Sequence, residues 1–411
     1  MSDPTEIAQY QTRTFNAMWR EASEKVPFYK MWRKRHRLPI QIGGLRELAD
    51  FPRLLKSDII EHDDLIKQTP DTKRFTLTGG TSGLSTAFPM NRLDADSSWV
   101  NAFVGRAWNG IYPFDSLYMM WGHSHLFGGH FVRLKQARRK IFDALNNIRR
   151  VSAYDLTSAQ LDFVARDIKA RRPKYIIGYG SCLALLAQHI EIHAGSLSHI
   201  GIHRVVNTSE SLDDVDAQRL SKVFGCPVIN EYGMAEAGVV GYSKGDAIPI
   251  AVFWQDFIVG LKKNTLMLTT IGDRCFPLVN YDTEDICNDR LPDEGTLLSL
   301  SSLGGKARDV FEITDKAGEP HLVSVVLFDH ILKQVPDIRS AQYTLRKSGV
   351  VEIGYTSFKK GTDEQVLRAQ FAEGLRKEGV EIDPSILEFS IINKPLQTTA
   401  GKRWALVRSS E

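Results

Sequence analysis

The chain has 411 residues, with 52 Lys plus Arg against 49 Asp plus Glu, a formal net charge of +3. Hydrophobic residues make up 43% and charged residues 25%, globular values that exclude a disordered, collagen-like or disulfide-scaffold chain. At about 150 residues per domain the length implies two or three domains with sizeable cores. The charge balance is too mild to imply a nucleic-acid partner. Cys182, Cys226, Cys275 and Cys287 lie far apart, so neither a zinc cluster nor a disulfide framework is expected, and reduced thiols are the simplest reading. The first residues, Met1-Ser2-Asp3-Pro4-Thr5-Glu6, show no basic start ahead of an apolar core, and no apolar run approaches the ~18 residues of a membrane span. A soluble, cytoplasmic protein without a membrane partner is expected; the oligomeric state is not legible.

Residues 1–70 read as helical and mixed, with Trp19, Phe28, Tyr29 and Trp32 as packing anchors. The β-like stretch Arg74–Leu77 leads into Thr78-Gly79-Gly80-Thr81-Ser82-Gly83, the strand-then-Gly/Thr/Ser pattern of a phosphate site. Its glycines let backbone approach an anion, and Thr78, Thr81 and Ser82 can donate to phosphate oxygens. It lacks Gly-Lys-Ser/Thr, so it is not a Walker A loop, and a plain surface turn is the alternative reading.

From about residue 157 helices and strands alternate. Thr157 and Gln160 form a capping box for a helix with Leu161, Val164 and Ile168 on one face. Tyr175–Ile177, Arg204–Val206 and Pro227–Ile229 read as short strands, Ser181–Ile190 as a buried helix, and Asp213–Phe224 as a helix ended by Gly225. Such alternation predicts parallel βαβ units, in which ligands sit at the carboxyl ends of strands. The composition shifts near Ser301–Lys306, where Gly304-Gly305 suits either a hinge or an ordinary turn. Beyond it the pattern is strand-rich, with one helix opened by Thr362 and Gln365 and carrying Leu367, Phe371 and Leu375. The expected architecture is α/β: a large N-terminal domain over 1–304 with parallel βαβ sheets, and a small mobile α+β domain over 305–411.

Three further stretches could carry chemistry. In Asn230-Glu231-Tyr232-Gly233-Met234-Ala235-Glu236, a glutamate after a strand-end turn can hold Mg²⁺ on a phosphate, although a capped helix start fits equally. Asp285, in the Asn280-Tyr281-Asp282-Thr283-Glu284-Asp285 run, could accept bonds from ribose hydroxyls or serve as a turn aspartate. Lys402, after Thr398-Thr399-Ala400-Gly401, reads by itself as a solvated lysine.

Taken in this order the motifs resemble the adenylate-forming superfamily of acyl-CoA synthetases, peptide-synthetase adenylation domains and luciferases, over residues 50–411. Thr78–Gly83 looks like its phosphate loop, Thr208-Ser209-Glu210-Ser211-Leu212 like the turn lining adenine, and Asn230–Gly238 like the Tyr-Gly-x-Thr/Ser-Glu motif. Asp285 matches the ribose-binding aspartate, Gly305–Asp309 the hinge, and Gly401-Lys402 the motif with the catalytic lysine. Phe276-Pro277-Leu278-Val279-Asn280-Tyr281 and Ile177-Gly178-Tyr179 are similar to the phenylacetate–CoA ligase branch. Departures are Ser85-Thr86 for Pro-Lys, Ala235 for the Thr/Ser before the glutamate, Asn280 for an arginine and Arg308 for the hinge acid.

The resemblance implies ATP-dependent activation of a carboxylic acid to an acyl adenylate with pyrophosphate release. Transfer to a phosphopantetheine thiol follows, on CoA or on an acyl carrier protein. Lys402 and Glu236 would be catalytic, Glu236 as the Mg²⁺ ligand. Thr78, Gly79, Gly80, Thr81, Ser82, Gly83, Ser209, Glu210, Ser211, Asn230, Glu231, Tyr232, Gly233, Asp285 and Lys306 would surround ATP, with Arg308 at the hinge. Trp121, His125, Tyr179, Met234 and Ala235 would line the acyl pocket, suited to an aryl or small hydrophobic acid. Competing readings are a non-thiol acceptor and a nucleotide-binding relative without catalysis. The basic stretch 133–174 could dock a carrier protein or the CoA 3′-phosphate, or be a solvated helical face.

Overall fold

The structure is a computed structural model. It describes all residues except 1–2, 78–86, 122–131, 154–157, 246–247, 273, 307–309, 319, 326–327, 329–330, 333–334, 336–337, 347, 358–362, 378–379, 394–405 and 409–411. Helix α1 (Pro4–Lys25) is capped by Asp3, whose carboxylate accepts from Thr5 N–H at 3.1 Å, and α2 (Pro27–His36) follows after Val26. The expected anchors are core residues: Trp19 of α1 and Phe28 and Tyr29 of α2 are at most 1% exposed, and Trp32 is 6% exposed. Each such side chain contributes about 1.5–3 kcal/mol by burial. Short helices α3 (Lys56–Glu61) and α4 (Asp63–Lys67) lead to a hairpin of β1 (Arg74–Leu77) and β2 (Ala87–Met90). Helix α5 (Arg92–Trp108) then starts at Asn91, whose side chain accepts from Asp94 N–H at 2.9 Å.

The main sheet has 8 strands in the order β13-β9-β8-β7-β6-β5-β3-β4. Its parallel part comprises β3 (Leu117–Trp121), β4 (Ile148–Ser152), β5 (Tyr175–Tyr179), β6 (Arg204–Thr208) and the first half of β7 (Val228–Met234). The crossovers are α6 (Val132–Leu145), α7 (Ser158–Arg171), α8 (Gly180–His193) and α9 (Asp214–Phe224). α9 begins at Asp213 and stops at Gly225, whose φ of 68° needs no Cβ; an added one would lie 2.5 Å from Ser198 Cβ. The α7 stripe Leu161, Val164 and Ile168 is fully buried.

One expectation changes here. The stretch Asn230–Met234 does not start a helix: β7 runs on to Met234 and turns into antiparallel β8 (Gly238–Ser243), followed by β9 (Ile250–Val252). The close pairing requires Gly233, where a Cβ would lie 2.7 Å from Gly238 O. A 4-stranded antiparallel sheet packs alongside, from β10 (Phe257–Lys262), β11 (Thr265–Thr270), β12 (Tyr281–Cys287) and β14 (Leu303–Lys306), with the edge strand β13 (Ser299–Leu300) completing the main sheet. Gly304 and Gly305 therefore lie inside a strand paired to β12, not in a turn.

Beyond it come a hairpin of β15 (Val310–Thr314) and β16 (Pro320–Ser324), then β17 (Ile338–Leu345), β18 (Val351–Ser357), the helix Glu364–Lys377, β19 (Leu387–Ile391) and β20 (Leu406–Arg408). The last sheet has the order β19-β18-β17-β20, and Leu367, Phe371 and Leu375 of the helix are fully buried in a core made of residues 313–387. Asp363 accepts from Gln365 N–H at 2.9 Å, an N-terminal cap one residue after the expected one; Thr157 and Thr362 lie outside the described residues.

Candidate active site

The carboxyl ends of β5, β6 and β7 lie side by side, and β12 meets the last of them through Asp285 and Tyr281. β6 ends at Thr208, and Ser209 at φ 66° turns the chain sharply. Glu210 fixes this turn by accepting from Ser181 N–H at 2.9 Å, at the N-terminus of α8, where the helix dipole favours a carboxylate. Asn207 donates its amide to Glu210 O at 2.9 Å and to Asn230 Oδ1 at 2.8 Å. Its own Oδ1 is buried and accepts no hydrogen bond among the described residues. Gly180 leaves the space above it: a Cβ there would lie 2.9 Å from Asn207 Oδ1 and 3.1 Å from Ser211 O. Asn207 went unnoticed in the sequence; the available signal was an amide inside the β-branched strand Arg204-Val205-Val206-Asn207-Thr208.

Two hydroxyl–carboxylate bonds join the two sheets. Tyr232 Oη donates to Asp285 Oδ2 at 2.7 Å, and Tyr281 Oη donates to Glu236 Oε1 at 3.4 Å. Burial, with the Asp285 charge next, pushes the Tyr232 hydroxyl well above its ordinary value, so it stays a donor at any working pH. Burial and the Glu236 charge raise Tyr281 in the same way. Asp285 and Glu236, 49 positions apart, are thus set on one junction between β7 and β12, and Lys306 is the strand partner of Asp285. Asn280, just before β12, adopts φ 50° and donates its amide to Phe51 O at 2.8 Å. An asparagine suits that left-handed backbone better than an arginine does.

Glu231 is turned away from this junction. Its carboxylate accepts from Thr208 Oγ1 at 2.8 Å and lies 3.6 Å from Arg106 of α5, both side chains being 9% exposed. On the other side of the strand ends, the Trp121 and Tyr179 rings stand 5.0 Å apart at 43°. Tyr179 is buried, Trp121 and Met234 are partly buried, and Ala235 is exposed in the turn after β7. Thr78–Gly83, His125, Arg308 and Lys402 lie outside the described residues. Three cations of the basic stretch are paired within it: Arg149 and Arg171 bind Asp167 at 2.7 Å each, and Arg150 binds Asp143 at 3.0 Å.

No family model matches the chain. The protein CapK of Staphylococcus aureus is 23% identical over 235 residues, 56% of this chain and 51% of its own length. The chain thus spans about half the length of that relative. Among solved structures, a 2-hydroxyisobutyryl-CoA ligase in the postadenylation state, with an acyl-AMP bound, superposes with TM-score 0.71 at 15% identity, covering 97% of this chain and 89% of that one. The same ligase in its thioesterification state, with acyl-AMP and CoA, gives TM-score 0.55 at 16% identity over 98% and 90%. A benzoate CoA ligase from Burkholderia xenovorans gives TM-score 0.55 at 11% identity over 83% and 71%. The chain has the α/β fold of adenylate-forming ligases.

Proposed function

We propose that this chain activates a small or aryl carboxylic acid with ATP, forming an acyl adenylate and pyrophosphate, and passes the acyl group to a phosphopantetheine thiol of CoA or a carrier protein. The observation that supports this most is the junction where Tyr232 holds the Asp285 carboxylate and Tyr281 holds that of Glu236, on a fold shared with CoA ligases. In this reading Asp285 accepts from the ribose hydroxyls. The unpartnered Asn207 Oδ1 above Gly180 takes a donor, and the exocyclic amine of adenine fits it. Leaving such a buried acceptor unmet costs about 1–3 kcal/mol, so a bound base relieves a standing penalty.

Carboxylate and ATP carry like charge, so the site must screen that charge while aligning the acid with the α-phosphorus. Mg²⁺ on a nucleotide needs only one or two protein carboxylates beside the phosphates, and Glu236 would hold it there, neutralising phosphate charge. The hydroxyls of Thr78, Thr81 and Ser82 would donate to phosphate oxygens. Lys402, on a small C-terminal domain over 305–411, would stabilise charge developing at the α-phosphate. The Trp121–Tyr179 pair would bound the acyl pocket with His125, Met234 and Ala235. The better superposition on a postadenylation structure than on a thioesterification structure supports an arrangement suited to the first step.

The test is Lys402→Ala assayed on both half-reactions. Acyl-AMP formation should fall by at least roughly 10²–10³, the cost of removing one preorganised donor. Thioester formation from supplied acyl-AMP should be largely spared. Equal loss in both steps would overturn this role for Lys402, and AMP release that no thiol accelerates would replace the thiol by another acceptor.

A further inference from the structure

Helix α5 is built inside out. The face against the sheet is held by polar bonds: Asn101 Nδ2 donates to Asp256 Oδ2 at 2.8 Å, Asn109 Nδ2 donates to Ser243 O at 2.8 Å, and Arg106 meets Glu231. The face turned outward over three turns reads Trp99, Val100, Phe103, Val104, Ala107 and Trp108, every one exposed and none charged. Trp99 is 52% exposed, Val100 58% and Phe103 39%. A helix on a sheet ordinarily shows the reverse pattern. At 150–250 Å² per aromatic side chain the stripe exposes roughly 450 Å² of apolar surface, the size of the largest patch on a typical monomer, which is often functional. Depletion of charge with Trp and Phe at the centre is the composition of a protein–protein interface core.

We propose that this stripe is the centre of a two-fold interface with a second copy of the chain, α5 packing antiparallel on α5. The charges bracketing the stripe favour this occupant. Asp96, 60% exposed at the side chain and in a long surface pair with Arg92 at 3.7 Å, lies at the N-terminal end, and Lys244 sits 4.3 Å over the Trp108 ring at the C-terminal end. A two-fold axis passing near Ala102 sets position 96 of one helix beside position 108 of the other, so Asp96 of each copy meets Lys244 of the second, twice. Positions 96 and 108 are about 18 Å apart along α5, so Asp96 and the Lys244 that covers Trp108 cannot pair within one copy. An anionic lipid surface would instead call for cations along the stripe, and α5 presents none outward between Asp96 and Trp108. A standard interface buries about 800 Å² per partner, so the stripe supplies its apolar core and the surrounding polar surface its rim.

The test is light scattering on the full chain after size exclusion, from 1 to 100 μM by loading. The expected mass is twice the 46.3 kDa of one chain. Phe103→Glu should raise the dimer dissociation constant at least about 30-fold. Circular dichroism should show its helix content unchanged. Asp96→Lys and Lys244→Asp should each weaken the dimer, and the double reversal should restore it. A wild type that stays monomeric overturns the proposal; sedimentation of that monomer with phosphatidylglycerol vesicles would assign the stripe to a membrane surface instead. A double reversal no better than the single changes overturns the antiparallel arrangement.

Discussion

Tyr232→Phe removes one oxygen and no ring, so it isolates the bond that ties β7 to Asp285. The hydroxyl donates to Asp285 at 2.7 Å and cannot ionise in the working range. A hydrogen bond to a charged group is worth about 1.5–3 kcal/mol, and Asp285 N–H still meets Thr283 Oγ1 at 3.1 Å, so the carboxylate loosens without leaving. If Asp285 accepts the ribose hydroxyls, that loosening should weaken AMP binding about 10-fold, the equivalent of roughly 1.4 kcal/mol. Calorimetric titration with AMP reads it directly, with Asp285→Ala as the reference. In the double variant the tyrosine change should add little, because its partner is already gone. Tyr232→Phe weakening AMP equally in both backgrounds, or in neither, would refute the link between this bond and the nucleotide.

Gly105→Ala would place a Cβ 2.3 Å from the buried Tyr242 ring, and the overpacking cost of about 1–3 kcal/mol exceeds the roughly 1 kcal/mol gain in helix propensity. Urea unfolding should show a net loss, and a stabilised variant would contradict the packing. Burial pushes the Cys226 thiol up to about 11 and Cys275 up to about 12, with Cys182 higher still. At pH 8 a disulfide reagent should therefore react slowly with these thiols in the native chain and fast after denaturation; rapid native labelling of any of them would be the contrary result. Burial alone would raise the Asp167 carboxyl, but the bonds from Arg149 and Arg171 outweigh it and hold it below the usual range. Its contribution is complete above the unfolded value near 3.9 and is lost as pH falls through the lower folded value. Asp167→Asn should accordingly flatten the fall in stability below about pH 4, and an unchanged acid limb would count against the pairing.

The parts legible in the sequence carry local signals. Asp213 and Gly225 bracket α9 because a cap and a left-handed stop act within one turn. The α7 stripe and the β-branched strands β5 and β6 follow from periodicity alone, and the parallel sheet follows from their alternation. Pairings set at long range were not legible. β7 continues past Asn230 because β8 pairs with it through Gly233 and Gly238, which no helical or strand window reveals. Tyr232 and Asp285 are 53 positions apart, and nothing near either residue announces the other. α5 escaped because its polar residues are buried and its apolar ones face out, the inverse of the pattern that periodicity reads. The basic stretch left a docking surface and a solvated face both open, because the sequence does not show that Asp167 sits between Arg149 and Arg171 and that Asp143 meets Arg150.

The central claim is adenylation, and carboxylate-dependent exchange of labelled pyrophosphate into ATP tests it most directly. The panel should span aryl, fatty and amino acids, with Lys402→Ala and Glu236→Gln run in parallel. The account predicts exchange with one acid class, strongly reduced in both variants. ATP binding with no exchange for any acid would contradict adenylation and leave a nucleotide-binding protein on a ligase fold.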